Sequence, residues 1–170
     1  RNLSPLTAKP VLFVANVDEG DDAVPPEIAE HAERQGAVAV AISSRLEAEL
    51  AELDETDAAA MRSDLGLTEP GLHRVVRGAF ALLDLLAFFT AGEDKPAQSW
   101  HLRRGLSAWH AAGEIHTDIQ RGFVRAEVIG WDALVEAGGY ARARERGTLR
   151  LEGRDYVIRD GDVLTVKFAP

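Results

Sequence analysis

"VLFVANVDEG", Val11 to Gly20, is an apolar run of strand length that stops abruptly in the polar tetrad Asn16-Val17-Asp18-Glu19. A second such run, "AVAVAIS", spans Ala37 to Ser43. Between them Pro25-Pro26 opens a helix that Glu27 to Gln35 continues, with Gly36 where a C-terminal cap belongs. Two continuous apolar runs joined by a helix read as a β-α-β unit, with parallel pairing and a right-handed crossover. Both strands of such a unit end at the same edge. Asn16 to Glu19 and Ser43 to Arg45 are therefore expected side by side in the crevice at the strands' carboxyl ends, where α/β sheets bind ligands.

Outward from this unit, "RLEAELAEL" carries Leu46, Leu50 and Leu53 at helical spacing. "EPGLHRVVRGAFALLDLL" does the same with Leu72, Val75, Val76, Phe80 and Leu83 behind Pro70. Both read as core stripes. The character changes at "LLAFFTAG", Leu85 to Gly92, a strand-like run followed by the loop "EDKPA", which puts a boundary between domains 1–84 and 85–170. A strand in "QSWHLRRG", one helix in "SAWHAAGEIHTDI", a strand in "GFVRAEVIG" and one helix in "WDALVEAGGYARARERG" follow. In "DYVIRDGDVLTVKF", Asp160-Gly161 between alternating runs predicts a hairpin, with Val163, Thr165 and Lys167 on one face of its second strand and Leu164, Val166 and Phe168 on the other. The fold class is α/β followed by α+β, the latter a mixed sheet of four or five strands gripping one helix.

Composition narrows the function classes. The 170 residues are 46% apolar and 28% charged, ordinary globular material, and no stretch approaches the about 18 to 20 apolar residues of a membrane helix. With no secretory-signal pattern, a soluble cytoplasmic protein without a membrane partner is expected. The absence of cysteine removes disulfides, thiolate catalysis and Cys-based zinc sites together. The chain opens on Arg1 rather than Met, as a piece of something longer would. Its net charge of −9 is uneven: residues 1–94 hold 7 Lys+Arg against 18 Asp+Glu, or −11, while residues 95–170 hold 12 against 10, or +2. Only the second part approaches a phosphate backbone without net repulsion.

"KPVLFVANVDE", "EPGLHRVVRGAFALL", "FFTAG", "RRG", "AAGEIHTDIQRGFVRAEVI", "LEGRDY" and "DGDV" stand in the order and spacing of the C-terminal half of the YchF, or Obg-like ATPase, group of P-loop nucleotidases. The resemblance runs from about Leu3 to Phe168 and is most specific between Ala111 and Ile129. It implies the C-terminal remnant of a parallel-sheet P-loop G domain followed by a β-grasp domain, ubiquitin-like and of the TGS type. In this superclass an Asn-Lys-x-Asp motif reads guanine; the YchF group carries Asn-x-x-Glu and prefers ATP to GTP. The pattern falls here on Asn16 and Glu19, with Val17 in place of the lysine that stacks on guanine. The second base-contacting loop falls on Ser43, Ser44 and Arg45. Asn can exchange two hydrogen bonds with the adenine N6/N7 edge, and Val offers an apolar wall.

The resemblance also says what is missing. No G-x-x-x-x-G-K-[ST] occurs in the 170 residues, so this chain has no backbone cradle or Lys for the phosphates and no hydroxyl for Mg²⁺. ATP or GTP with Mg²⁺ belongs to the intact parent; no catalytic residue and no cofactor is expected of this chain alone. The β-grasp half implies docking on ribosome or RNA, with Arg103, Arg104, Arg121 and Arg125 as candidate contacts and Trp100 and Trp109 as candidate stacking faces. A protein-protein or nucleic-acid interaction module without nucleotide function remains the alternative. The sequence departs from the family at "SAWHAAG", where A-P-Q-A-A-G is commoner, and at "PAQSWHL" and "KFAP". His101, His110 and His116 are not expected to bind metal: His110 and His116 lie six apart, off the rows that share a helix face, and His116 with Thr117 and Asp118 is expected to start or end a helix.

Overall fold

The computed structural model describes residues 5–92 and 95–169. The chain divides into two compact units, Arg1–Leu83 and Asp84–Pro170. The second unit holds Asp84, Glu93 and Asp94, which the count from residue 95 left out, and so carries 12 Lys+Arg against 13 Asp+Glu, or −1. The +2 counted from residue 95 is therefore not the charge of the folded unit.

In the first unit, β1 (Leu12–Asn16) and β2 (Val38–Ile42) pair in parallel from Leu12↔Val38 to Asn16↔Ile42. The crossover between them is α1 (Pro26–Arg34), which has Pro at its first position and ends where Gly36 takes φ 61. Next come α2 (Ser44–Leu50), α3 (Glu55–Asp64) and α4 (Gly71–Leu82). Leu46 and Leu50 of α2 close over Ala58 of α3 in one apolar cluster, and Asp54 caps α3 by accepting from the Asp57 N–H at 3.0 Å. α4 lies on the sheet through Gly78, where a Cβ would stand 3.1 Å from Leu12 Cδ1 and 3.3 Å from Val40 Cγ1.

Two predicted stripes are corrected here. α2 ends at Leu50, so Leu53 falls beyond it and is exposed. On α4 the buried positions are Gly71 and Gly78; Leu72, Val76 and Leu83 are exposed, and only Val75 and Phe80 of the predicted stripe are half-buried. The physical reason is closeness of approach. Gly71 and Gly78, seven apart on one helix face, let the backbone reach Ile42 and Val40, so small residues choose the packed side.

The second unit is a five-stranded mixed sheet of order β4-β3-β7-β5-β6. β3 (Leu85–Gly92) is antiparallel to β4 (Lys95–Arg103) and parallel to the central β7 (Asp162–Phe168). β5 (Phe123–Gly130) is antiparallel to both β7 and β6 (Arg150–Glu152). Glu93 and Asp94 of the predicted "EDKPA" loop lie outside the described residues, and Lys95 already begins β4. Even-numbered residues Leu86, Phe88, Leu102, Ala126, Val128 and Leu164 form one core with Ala108 and Ala111 of α5 (Ala108–Ile115). Odd-numbered Ile129 and Val163, with Phe89, form another with Ala137 of α7 (Trp131–Ala137) and Ala143 of α8 (Tyr140–Glu145). Helices thus cover both faces, which is why the adjacent Val163 and Leu164 are both buried.

Three local predictions fail for identifiable reasons. The helix read across Ser107 to Ile119 is interrupted at His116, whose backbone is extended (φ −168, ψ 142) and whose Nδ1 accepts from the Asp118 N–H at 3.1 Å; this caps α6 (Thr117–Arg121). His116 thus ends one helix and starts the next, as expected of it, although the imidazole rather than the Thr117 or Asp118 side chain makes the capping bond. The helix read across Trp131 to Gly147 breaks at Gly138 and Gly139, both with positive φ. The hairpin at Asp160-Gly161 does not form. Asp160 Oδ1 accepts from the Ala87 N–H at 2.8 Å and Gly161 takes φ 83, but the chain before the turn makes only a single bridge, Val157 to Ser107, so β7 pairs with β3 and β5 instead.

Candidate functional site

The carboxyl ends of β1 and β2 bring the two polar segments together. Asn16 is the last residue of β1, directly opposite Ile42, and the Val17 N–H donates to the Ile42 carbonyl at 2.9 Å, carrying the pairing one step past the strand. Ser43, buried, caps α2 by accepting from the Leu46 N–H at 3.5 Å. Across the gap Asn16 Oδ1 accepts from the Ser44 N–H at 2.9 Å. This bond fixes the orientation of the amide, because only the oxygen can accept from a backbone N–H. The two Nδ2 hydrogens are then the donors that face no fixed acceptor among the described residues, and Asn16, Glu19 and Ser44 are all exposed.

Electrostatics couples the same two segments. The Arg45 guanidinium is held above its ordinary value first by its side-chain bond to Glu49 (Nε to Oε1, 3.1 Å) and by that carboxylate's charge, then by the Glu19 carboxylate. The Glu19 charge is therefore felt at the cationic residue of the second segment. Chemically the edge offers an amide donor pair, an apolar Val17 wall and the exposed Glu19 carboxylate, a set suited to the polar rim of a planar heterocycle.

The four candidate arginines do not form one patch. Arg103 closes β4 opposite Leu85, at the start of β3, and Arg104 bonds the Leu85 carbonyl (3.3 Å) and lies 3.8 Å from Asp84. Arg121 ends α6, 3.8 Å from Asp118, and Arg125 lies near the start of β5 opposite Lys167. Since β5 runs antiparallel to β7 and β7 parallel to β3, the Arg103 pair and the Arg125 position sit at opposite ends of the sheet, about 26 Å apart along the strands. The tryptophans are largely committed as well. Trp100 stacks on Phe88 (centroids 6.5 Å) and donates from Nε1 to Thr90 Oγ1 at 3.0 Å, while the Arg154 guanidinium lies over Trp109 at 5.1 Å.

His110 Nδ1 lies 3.4 Å from the Ser107 N–H and 3.0 Å from its hydroxyl, closing the cap of α5, and His101 is on β4. Among the described residues no three His, Asp or Glu side chains assemble as a ligand set, and no helix is long and apolar enough to cross a membrane. Sequence reading missed Arg74. Its Nε is buried without a hydrogen-bond partner, and with Asp22 and the ion-paired Arg77 it lines a cavity of about 400 Å³ beside β2. The only signal was an Arg pair three apart on a helix otherwise read for its apolar period.

Comparison with known proteins agrees with this architecture. The family model YchF-GTPase_C, described as a protein of unknown function (DUF933), matches residues 85–169. The ribosome-binding ATPase YchF of Pasteurella multocida is 43% identical over 166 residues, 96% of this chain and 46% of its own length. That of Bacillus subtilis is 38% identical over 174 residues, 99% of this chain and 47% of its own. Among solved structures, the YchF GTPase of Schizosaccharomyces pombe superposes with a TM-score of 0.78 at 29% identity, over 95% of this chain and 44% of that one. A GTP binding protein from Pyrococcus horikoshii OT3 shares the fold, with a TM-score of 0.63 at 19% identity over 95% of this chain and 46% of that one. The chain spans about half the length of the curated relatives it matches. It belongs to the YchF family and corresponds to the C-terminal half of its members.

Proposed function

We propose that this chain is the base-reading and partner-docking half of a YchF-type nucleotidase. The first unit is the end of the nucleotide-binding domain, and the second is a TGS-like β-grasp module that docks on the ribosome. The observation that carries the first part is the Asn16 Oδ1 bond to the Ser44 N–H at 2.9 Å, which holds the amide so that Nδ2 can donate to a purine N7 while the second lone pair of Oδ1 is left for the N6 hydrogens that adenine has and guanine lacks. Val17 would offer the ring an apolar wall and Glu19 a carboxylate at its rim, one whose charge is felt at Arg45. A guanine reader needs a carboxylate close to the base's N1 and N2 hydrogens; Glu19 is one methylene longer than the Asp that does this in the superclass, which favours ATP. The residues of this chain fit the base and not the phosphates, so Mg²⁺ and the triphosphate fall to a P-loop half, as does hydrolysis. For the second unit, support comes from the relatives' name as ribosome-binding ATPases and from a strand order in which the first and last long strands lie parallel at the centre, as in β-grasp folds.

The test is a chimera in which this chain replaces the matched half of the Pasteurella multocida relative. ATP binding tighter than GTP, together with co-sedimentation with ribosomes, supports the reading. Ribosome binding with no nucleotide preference that depends on Asn16 would leave only an interaction module.

A further inference from the structure

Arg125 and Lys167 stand directly opposite each other on β5 and β7. Facing cross-strand residues have Cβ atoms about 4.5–5.5 Å apart, and like charges placed so repel. Glu127, two residues on from Arg125, relieves only part of this. Its Oε2 is 3.3 Å from Lys167 Nζ and its Oε1 3.5 Å from Arg144 Nη2, so one carboxylate, 16% exposed, already serves two cations. Arg125 has no ion pair among the described residues. α7 and α8 cover the Ile129 and Val163 end of this face and leave the Arg125 and Lys167 end open. The result is three cations around one acid on a unit whose net charge is −1, so the excess is local.

We propose that this open end of the sheet face is where the second unit meets structured RNA, with Arg125, Lys167 and Arg144 contacting the phosphate backbone. A like-charge pair on adjacent strands, only partly compensated by Glu127, is stabilised when an anion bridges it. Protein-protein interfaces deplete charge at their centres, whereas phosphate contacts are made by Arg and Lys. Arg103 and Arg104 lie at the far end of the sheet and so outside this surface, and Arg121 is paired with Asp118, whereas Lys167 and Arg144 share the single Glu127 carboxylate. The proposal rests on the ribosome-docking part of the reading above and adds the surface that performs it.

The test uses the 170-residue chain and a fluorescein-labelled RNA duplex of about 20 base pairs, with affinity followed by anisotropy across rising KCl. Arg125→Ala/Lys167→Ala should weaken binding about tenfold or more at low salt and reduce the slope of log affinity against log salt by about 2, the share of two phosphate contacts. Arg125→Lys/Lys167→Arg should restore both. Arg125→Ala alone should leave the urea midpoint unchanged or raise it, since it relieves repulsion; a residue serving only the fold would lower it. A double variant that keeps wild-type affinity and slope, or a loss carried instead by Arg103→Ala/Arg104→Ala, overturns the assignment. Wild-type chain that does not bind the duplex overturns RNA docking itself, while the nucleotide preference of the chimera would be untouched.

Discussion

Asp162→Ala should unfold the second unit selectively, and its cost can be worked from the contacts. Asp162 opens β7 and is buried; its Oδ2 accepts from the Tyr156 hydroxyl at 2.9 Å and from the Arg159 N–H at 2.8 Å. Arg150 lies 3.7 Å from Oδ1 and also donates to the Tyr156 hydroxyl at 2.9 Å, so one carboxylate ties β6, the loop after it and the central strand together. Hydrogen bonds to a charged group contribute about 1.5–3 kcal/mol each. The Arg150 side chain is 42% exposed, so its screened ion pair adds under about 1 kcal/mol, and the Arg159 N–H can recover water once the carboxylate is gone. A net loss of about 3 kcal/mol follows. With a urea slope of about 1.5 kcal/mol/M for a unit of this size, the midpoint should fall by about 2 M. Tryptophan fluorescence is the assay, because Trp100, Trp109 and Trp131 all lie in the second unit. Asp162→Asn, which keeps the shape and one acceptor, should lose about half as much. A midpoint for the alanine variant within about 0.3 M of wild type, well inside the range those bonds imply, would refute the network's role.

Burial holds the Tyr140 and Tyr156 hydroxyls above their ordinary value, with bonds to Thr165 and to Arg150 respectively opposing it. The folded state therefore keeps these protons where the unfolded chain has released them. Stability should be level below about pH 10 and fall as pH rises through the raised folded values, and Tyr140→Phe should lessen the fall when urea midpoints are compared across pH. Gly78→Val should cost about 2 kcal/mol by overpacking α4 against Leu12 and Val40, read as a lower midpoint in far-UV circular dichroism; an unchanged midpoint would mean the helix is free to shift. In the chimera, Val17→Lys/Glu19→Asp should gain about 1–3 kcal/mol of GTP affinity, the scale of one bidentate base contact, measured by calorimetric titration.

Strand, crossover and edge in the first unit were legible because their signals are local: an apolar run, a Pro-Pro start, a Gly stop. The packed face of α4 was not, because the apolar period marks Leu72 and Val76 while closeness of approach selects Gly71 and Gly78. In the second unit the hairpin signal at Asp160-Gly161 correctly marked a turn, but the partner of the strand leaving it is chosen by pairing with β3 some seventy residues earlier, which no local pattern carries. His116 was legible as a helix end, and it ends α5 and starts α6, but its cap was not, since a ring nitrogen capping a helix is invisible to a rule written for Ser, Thr, Asp and Asn. At the candidate site, sequence placed Asn16 beside Ser44 but not which end of the amide remains for a ligand. For the arginines, proximity in sequence misled: Arg103 and Arg125 belong to opposite ends of one sheet, and the residue directly across from Arg125 is Lys167, from the last strand.

The most direct measurement is nucleotide competition on the chimera with Asn16→Asp. Aspartate keeps the oxygen that accepts from the Ser44 N–H, so the edge should fold as before, but it replaces the Nδ2 donors with a second oxygen. If Asn16 reads adenine by donating from Nδ2 to N7 and accepting an N6 hydrogen on Oδ1, the wild-type chimera binds ATP more tightly than GTP, and the variant loses about 1–3 kcal/mol of ATP affinity, roughly five- to a hundred-and-fifty-fold, with an unchanged urea midpoint. GTP binding more tightly in the wild type, or an Asn16→Asp chimera that holds ATP as well as its parent, would contradict the base-reading role of this edge.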